Sequence, residues 1–186
     1  MSGAAEHPAV VRAIADPDEM HEFGVRLGAA LLAGDLVLLT GPLGAGKTTL
    51  TRGIGEGLGV RGPIQSPTFV LARTHPSLVG GAPLVHVDAY RLADGGELED
   101  LDLDFAGSVV VAEWGADMVE RPESWLEIVI ERRLGGAQTE SSSGGAEGSG
   151  ADRDDDDDED WSEAPVEART VTVRAFGPRW NEGVPG

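Results

Sequence analysis

Cysteine does not occur in this chain of 186 residues, tyrosine occurs once, and lysine occurs once, because thirteen of the fourteen basic residues are arginine. Without cysteine, disulfides and thiolate metal sites are excluded, and the four histidines (His7, His21, His75 and His86) show no paired ligand spacing. No apolar run approaches the roughly 20 residues of a membrane span. The N-terminal stretch also lacks the charged and apolar regions of a signal peptide. A cytoplasmic protein without membrane contact is expected. Positive charge is scarce overall, with a net charge of −19, but residues 137–168 hold twelve acids and one arginine, which supplies −11 and leaves −8 elsewhere. That remainder does not resemble a domain that grips nucleic acid by itself, which needs a basic patch to displace counterions. Any link to RNA is expected to run through a partner. Hydrophobic content of 40% over this length suffices for one ordinary core, so a single domain over residues 1–186 is expected.

The one lysine stands in Gly41-Pro42-Leu43-Gly44-Ala45-Gly46-Lys47-Thr48, a full match to the phosphate-binding pattern G-x-x-x-x-G-K-[ST]. An ammonium is a compact point charge on a flexible stem, suited to a tight phosphate loop where a planar guanidinium is not. Gly44 and Gly46 let successive backbone N–H groups turn toward one point, and the helix that follows aims its positive end there. Gly41, Leu43, Gly44, Ala45, Gly46, Lys47, Thr48 and Thr49 are therefore the expected nucleotide contacts. Lys47 is expected to reach the outer phosphates and the Thr48 hydroxyl to ligate Mg²⁺.

The flanks suit the motif. Residues 36–40 (LVLLT) form a short continuous apolar run of the kind covered on both faces of a sheet. Leu50, Ile54 and Leu58 then mark a helix ending near Gly59, despite Gly53, Gly55 and Gly57, which weaken its propensity. Upstream, residues 10–15 read as a strand, and Asp16-Pro17 reads as N-cap and first helical residue before Met20, Phe23, Leu27, Ala30 and Leu31 at helical spacing. Downstream, residues 69–74 and 84–87 read as a hairpin, 97–105 as a short helix, 109–112 as a second buried strand, and 126–131 and 170–175 as two late strands. Between those two lies a Ser/Gly/Asp-rich segment, about 135–165, too polar to offset its ordering entropy. The expected fold is α/β of the P-loop NTPase type: a mixed, largely parallel sheet flanked by helices, with a disordered acidic insertion in a late hairpin.

A P-loop enzyme also needs an acid at the end of a strand beside the loop. Glu113 ends VVVAE and Asp88 ends LVHVD. Glu113 is favoured as the closer metal ligand because its strand reads as central, with Asp88 then in an outer-shell or water-positioning role; a solvated strand-end acid is the alternative for each. Ser66-Pro67-Thr68 is either a plain turn or a switch whose hydroxyl senses the outer phosphate. Trp114 is read as a core residue or as a surface for nucleotide or partner, and His86 as structural or solvent-facing rather than catalytic.

Taken together, LGAGKTT, SPTF, the H-x-D-x-Y-R-L string (His86, Asp88, Tyr90, Arg91, Leu92), Glu97-Leu98 and Glu113-Trp114 closely resemble, in order and spacing, the bacterial TsaE (YjeE) family. That family is the ATPase subunit of the machinery that makes threonylcarbamoyladenosine beside the anticodon of certain tRNAs. The resemblance covers about residues 16–132 and resumes near 167. It implies a small P-loop domain that binds and slowly hydrolyses ATP while docked on TsaB and TsaD, resetting the transferase and meeting tRNA only indirectly. It further implies that Lys47, Thr68, Asp88 and Glu113 form the catalytic set, that Thr48 and Glu113 bind Mg²⁺ with Asp88 supporting its water shell, and that Thr68 belongs to a switch. Adenine is implied near Asp16 and Pro17 and near the loop joining the last two strands. The chain departs from the family pattern at Pro42, where an acid is usual, and in the acidic insertion.

Two other functions share the loop. A small-molecule kinase would transfer the γ-phosphoryl group to a metabolite and would need a lid; Arg132 and Arg133 suit that poorly, because they end a strand just before the insertion. A nucleotide-gated binding module would hydrolyse ATP only incidentally. A GTPase is excluded, since guanine selection by an N/T-K-x-D motif needs a second lysine.

Overall fold

A computed structural model describes residues 4–66, 71–89, 103–114, 121–132 and 167–184. Among the described residues, seven strands form one sheet in the order β1-β7-β6-β2-β5-β4-β3. They are β1 (Val10–Ile14), β2 (Leu36–Thr40), β3 (Ala72–His75), β4 (Leu84–Asp88), β5 (Val109–Glu113), β6 (Trp125–Arg132) and β7 (Arg169–Phe176), with helices α1 (Pro17–Gly28) and α2 (Lys47–Leu58). The centre is parallel: β2 pairs with β5 and with β6, and β5 with β4. The flanks are antiparallel, with β3 on β4, β7 on β6 and β1 on β7. The mixed α/β architecture expected from the sequence is the one observed.

The central strands are the ones written as unbroken apolar runs. Leu36, Val37, Leu38 and Leu39 are all buried, and every residue of β4 and β5 is buried, because both faces of this part of the sheet are covered. On one face Val37, Leu39, Leu84, Val109 and Val111 join Phe23, Leu27, Leu50 and Ile54 of the two helices. On the other, Leu36, Leu38, Val85, Val87, Val110 and Ala112 form a second cluster with Leu103 and Phe105 against it. β6 and β7 alternate buried with part-exposed residues, as strands covered on one side do.

Both helices begin and end where the chain's punctuation puts them. Asp16 accepts a hydrogen bond from the Glu19 N–H at 2.8 Å with Pro17 as first helical residue, and α1 closes at Gly28, so Ala30 and Leu31 fall in the following turn. α2 closes on Gly59 in the left-handed region. Between them the two helices approach backbone to backbone through Gly24, Gly28, Gly53 and Gly57. A methyl group on any of these would stand 2.2–2.5 Å from a carbonyl oxygen of the opposite helix.

Some expectations fall elsewhere. The third strand starts at Ala72, with residues 69–70 outside the described residues. Residues 97–102 of the short helix also lie outside, and residues 103–105 are not helical. The acidic segment lies outside the described residues, between two strands that do form an antiparallel hairpin. Among the described residues no helix is long and apolar enough to cross a membrane.

Candidate functional site

The parallel strands β2, β5 and β4 all end at the same edge of the sheet, where ligands bind in folds of this kind. The loop following β2 turns there on Gly44 (φ 70°) and Gly46 (φ 108°), conformations that an L side chain resists. Gly46 is also the N-cap of α2 and supplies no side-chain acceptor, so the first N–H groups of the helix are left for a ligand. The start of the loop is pressed on β6: a methyl group on Gly41 would stand 2.6 Å from the Ile130 carbonyl oxygen. Arg132, at the end of β6, donates from Nη2 to the Leu43 carbonyl at 3.0 Å. It thus braces the loop, a contact that its reading as a poor lid did not foresee.

Lys47 is 6% exposed and its Nζ donates to the carbonyls of Gly41 at 2.9 Å and Pro42 at 3.2 Å. The ammonium also stands 4.6 Å from the centre of the Trp114 ring. Burial lowers its pKa below the usual lysine value, while the charges of Glu113 and Asp88 oppose the shift. Trp114 reaches this position because it leaves β5 in a left-handed conformation, φ 62°, unusual for a bulky residue. It is 39% exposed, so it is a pocket wall and not a core residue.

A cavity of about 670 Å³ opens over the loop, lined by Leu43, Gly44, Gly46, Lys47, Thr48, Thr49, Ser66, Asp88, Glu113 and Trp114. The structure thus gathers into one pocket the phosphate-loop residues and both strand-end acids. Asp88 and Glu113 are direct neighbours across the β4–β5 ladder, and at 8% and 4% exposure neither is a freely solvated strand-end acid. Ser66 is part of the lining, which gives the Ser66-Pro67-Thr68 segment one residue at the pocket; Pro67 and Thr68 lie outside the described residues. Gly41 and Ala45 shape the loop from behind, Ala45 being buried and bonded through its N–H to the Pro42 carbonyl. Asp16 and Pro17 open α1. One turn on, Met20 lies 3.5 Å from where a Gly46 side chain would start, so that end of the helix borders the loop. The Asp16 carboxylate itself is engaged in capping.

The donor set fits magnesium. A threonine hydroxyl and two carboxylates are hard oxygen ligands, and Mg²⁺ completes its octahedral shell from phosphate oxygens and water. Among the described residues no three His, Asp or Glu side chains converge to hold a metal alone. Ligands beyond Thr48 and one or two acids would therefore come from the nucleotide and from water.

What sequence reasoning missed is the partner of His86, which it read as structural or solvent-facing. The imidazole is fully buried, and its Nε2 lies 2.9 Å from Glu113 Oε1. Its signal was present, since a polar residue inside the apolar run LVHVD needs a partner.

A family model described as "Threonylcarbamoyl adenosine biosynthesis protein TsaE" matches residues 14–139. A Streptomyces coelicolor protein named tRNA threonylcarbamoyladenosine biosynthesis protein TsaE is 54% identical over 165 residues, 87% of this chain and 93% of its own. A Bacillus subtilis protein of the same name is 42% identical over 122 residues, 63% of this chain and 74% of its own. Among solved structures, Bacillus subtilis YdiB superposes with a TM-score of 0.59 at 28% identity, covering 91% of this chain and 87% of that one.

Proposed function

The chain belongs to the TsaE family, and from that premise we propose that it binds ATP with Mg²⁺ and hydrolyses it in support of threonylcarbamoyladenosine formation on tRNA. The observation that carries this reading is the convergence of Lys47, Thr48, Asp88 and Glu113 on one cavity above a glycine-turned loop. Loop amides and the Lys47 ammonium bind the phosphates, and the ammonium must leave the carbonyls of Gly41 and Pro42 to do so. Thr48 and Glu113 hold the cation, with Asp88 bonding its water shell. When bound, Mg²⁺ neutralises charge on the outer phosphates. Ser66 lines the cavity, and in this reading the segment it opens, which includes Thr68, is the switch that senses the γ-phosphate.

The partners in this reading are homologues of TsaB and TsaD, and the setting is the cytoplasm. The net charge of −19 supports contact with tRNA through the complex and not directly. ATP turnover by the purified chain, measured with and without TsaB and TsaD and alongside a screen of small phosphoryl acceptors, tests the proposal. Release of phosphate to water, raised by the partners, is expected. Transfer to a metabolite would make the chain a kinase, and no turnover in either condition would leave a binding module.

A further inference from the structure

We infer that His86 is the positioning residue for Glu113, holding one carboxylate oxygen so that the other is presented to the magnesium–nucleotide complex. The inference rests on the proposed role of Glu113 as a metal ligand.

The geometry begins with register. His86 pairs with Val111 and Asp88 with Glu113 in the parallel β4–β5 ladder, and side chains alternate along each strand. His86, Asp88, Val111 and Glu113 therefore share one face, the face that packs toward α2 and the phosphate loop. Glu113 is the diagonal neighbour of His86, within reach of a long side chain, and the imidazole spans the gap. Its Nε2 meets Glu113 Oε1 at 2.9 Å, with the imidazole fully buried and the carboxylate side chain 5% exposed. Against a carboxylate the imidazole is the donor, which puts the hydrogen on Nε2. The other ring nitrogen, Nδ1, is buried without a hydrogen-bond partner.

That unpartnered nitrogen separates orientation from stability. Val85 and Val87, on either side in β4, fill their places with apolar side chains and leave no polar atom unsatisfied. An apolar residue at position 86 would avoid burying a lone polar nitrogen but would leave the buried Glu113 Oε1 without its donor, so the imidazole serves the carboxylate and not the core. What the imidazole supplies that a valine cannot is one fixed hydrogen bond on one oxygen of a carboxylate carried on three rotatable side-chain bonds. Partners of this kind behind a metal ligand change metal affinity by about 10- to 100-fold.

Two substitutions differ only in reach. His86→Gln carries an N–H donor near the position of Nε2, whereas His86→Asn carries one near Nδ1, too short to meet Glu113. Binding of a non-hydrolysable ATP analogue is titrated by calorimetry over a series of Mg²⁺ concentrations and again with the cation chelated, for both variants and for Glu113→Gln. We expect His86→Asn to raise the Mg²⁺ concentration required for tight binding about tenfold, with chelated affinity unchanged, and His86→Gln to stay close to the parent. A merely structural role would lower both affinities together and would not be rescued by glutamine. If His86→Asn fails to fold, His86→Met, of similar bulk without a donor, takes its place against His86→Gln. A weakened Mg²⁺ response in Glu113→Gln with none in the donor-lacking variant overturns the inference alone. An unaltered response in Glu113→Gln overturns the metal assignment and this inference with it.

Discussion

Replacing Gly53 by alanine sets two physical effects of opposite sign against each other. Inside a helix, alanine is favoured over glycine by about 1 kcal/mol, so propensity alone makes Gly53→Ala stabilising. The structure says otherwise. The added methyl group would stand 2.2 Å from the His21 carbonyl oxygen and 2.9 Å from Gly24 Cα, both on α1 and both backbone, whereas real contacts are seldom closer than 3.0 Å. Helices α1 and α2 must then part by about 1 Å, an overpacking that costs about 1–3 kcal/mol. Parting also loosens Phe23, Leu27, Leu50 and Ile54, which are at most 1% exposed. The net expectation is a loss of about 0–2 kcal/mol, or a melting temperature lower by up to about 8 °C for a chain of this size. Urea unfolding followed by circular dichroism measures it, with Gly81→Ala as control, since there the nearest atom is 3.7 Å away. Combined with Gly24→Ala the second substitution should cost less than it does alone, because both push the same interface apart. Because α2 begins at Lys47, displacement of the helix should also weaken ATP binding. A Gly53→Ala protein that melts above the parent temperature refutes the close packing.

Lys47→Ala should weaken ATP binding by about 100-fold, or about 2.7 kcal/mol, the scale of losing charge-assisted contacts to phosphate. Its melting temperature without nucleotide should hold, because the ammonium is disfavoured by burial in the folded chain; unchanged affinity by titration would contradict the loop assignment. His75 is 4% exposed, its Nδ1 is bonded to the Arg61 carbonyl, and burial, the largest cause, lowers its pKa below 6.5. A folded pKa below the unfolded one means that the unfolded chain takes up the proton first. Stability is then fully present above about pH 6.5 and falls as pH drops through the folded pKa. His75→Asn, which keeps a donor for Arg61, should reduce the drop in melting temperature between pH 7 and pH 5, and an equal drop in both proteins would remove His75 as its source.

These perturbations divide according to how far apart in sequence the interacting parts lie. The strand, loop and helix around Lys47 were legible because residues 36–58 carry every signal themselves: an apolar run, glycines where φ must be positive, and a cation at the helix start. The fully buried β4 and β5 were legible for the same local reason, since only a strand covered on both faces can be written as an unbroken apolar run. The strand order was not, because nothing in β2 states that its neighbours are β5 and β6. Glycine gives the sharpest case. From composition, Gly53 and Gly57 read as weak points of a helix, yet their function is defined by Gly24 and Gly28 on another helix, and the pairing exists only once the two cross. The same argument applies to His86 and Glu113, which stand 27 positions apart and meet through strand register alone. Local chemistry therefore identifies the groups proposed to touch the nucleotide, while the groups that hold those in place are set by register and helix crossing. Substitutions of the first kind should alter binding with little change in folding, and those at the helix crossing should alter both.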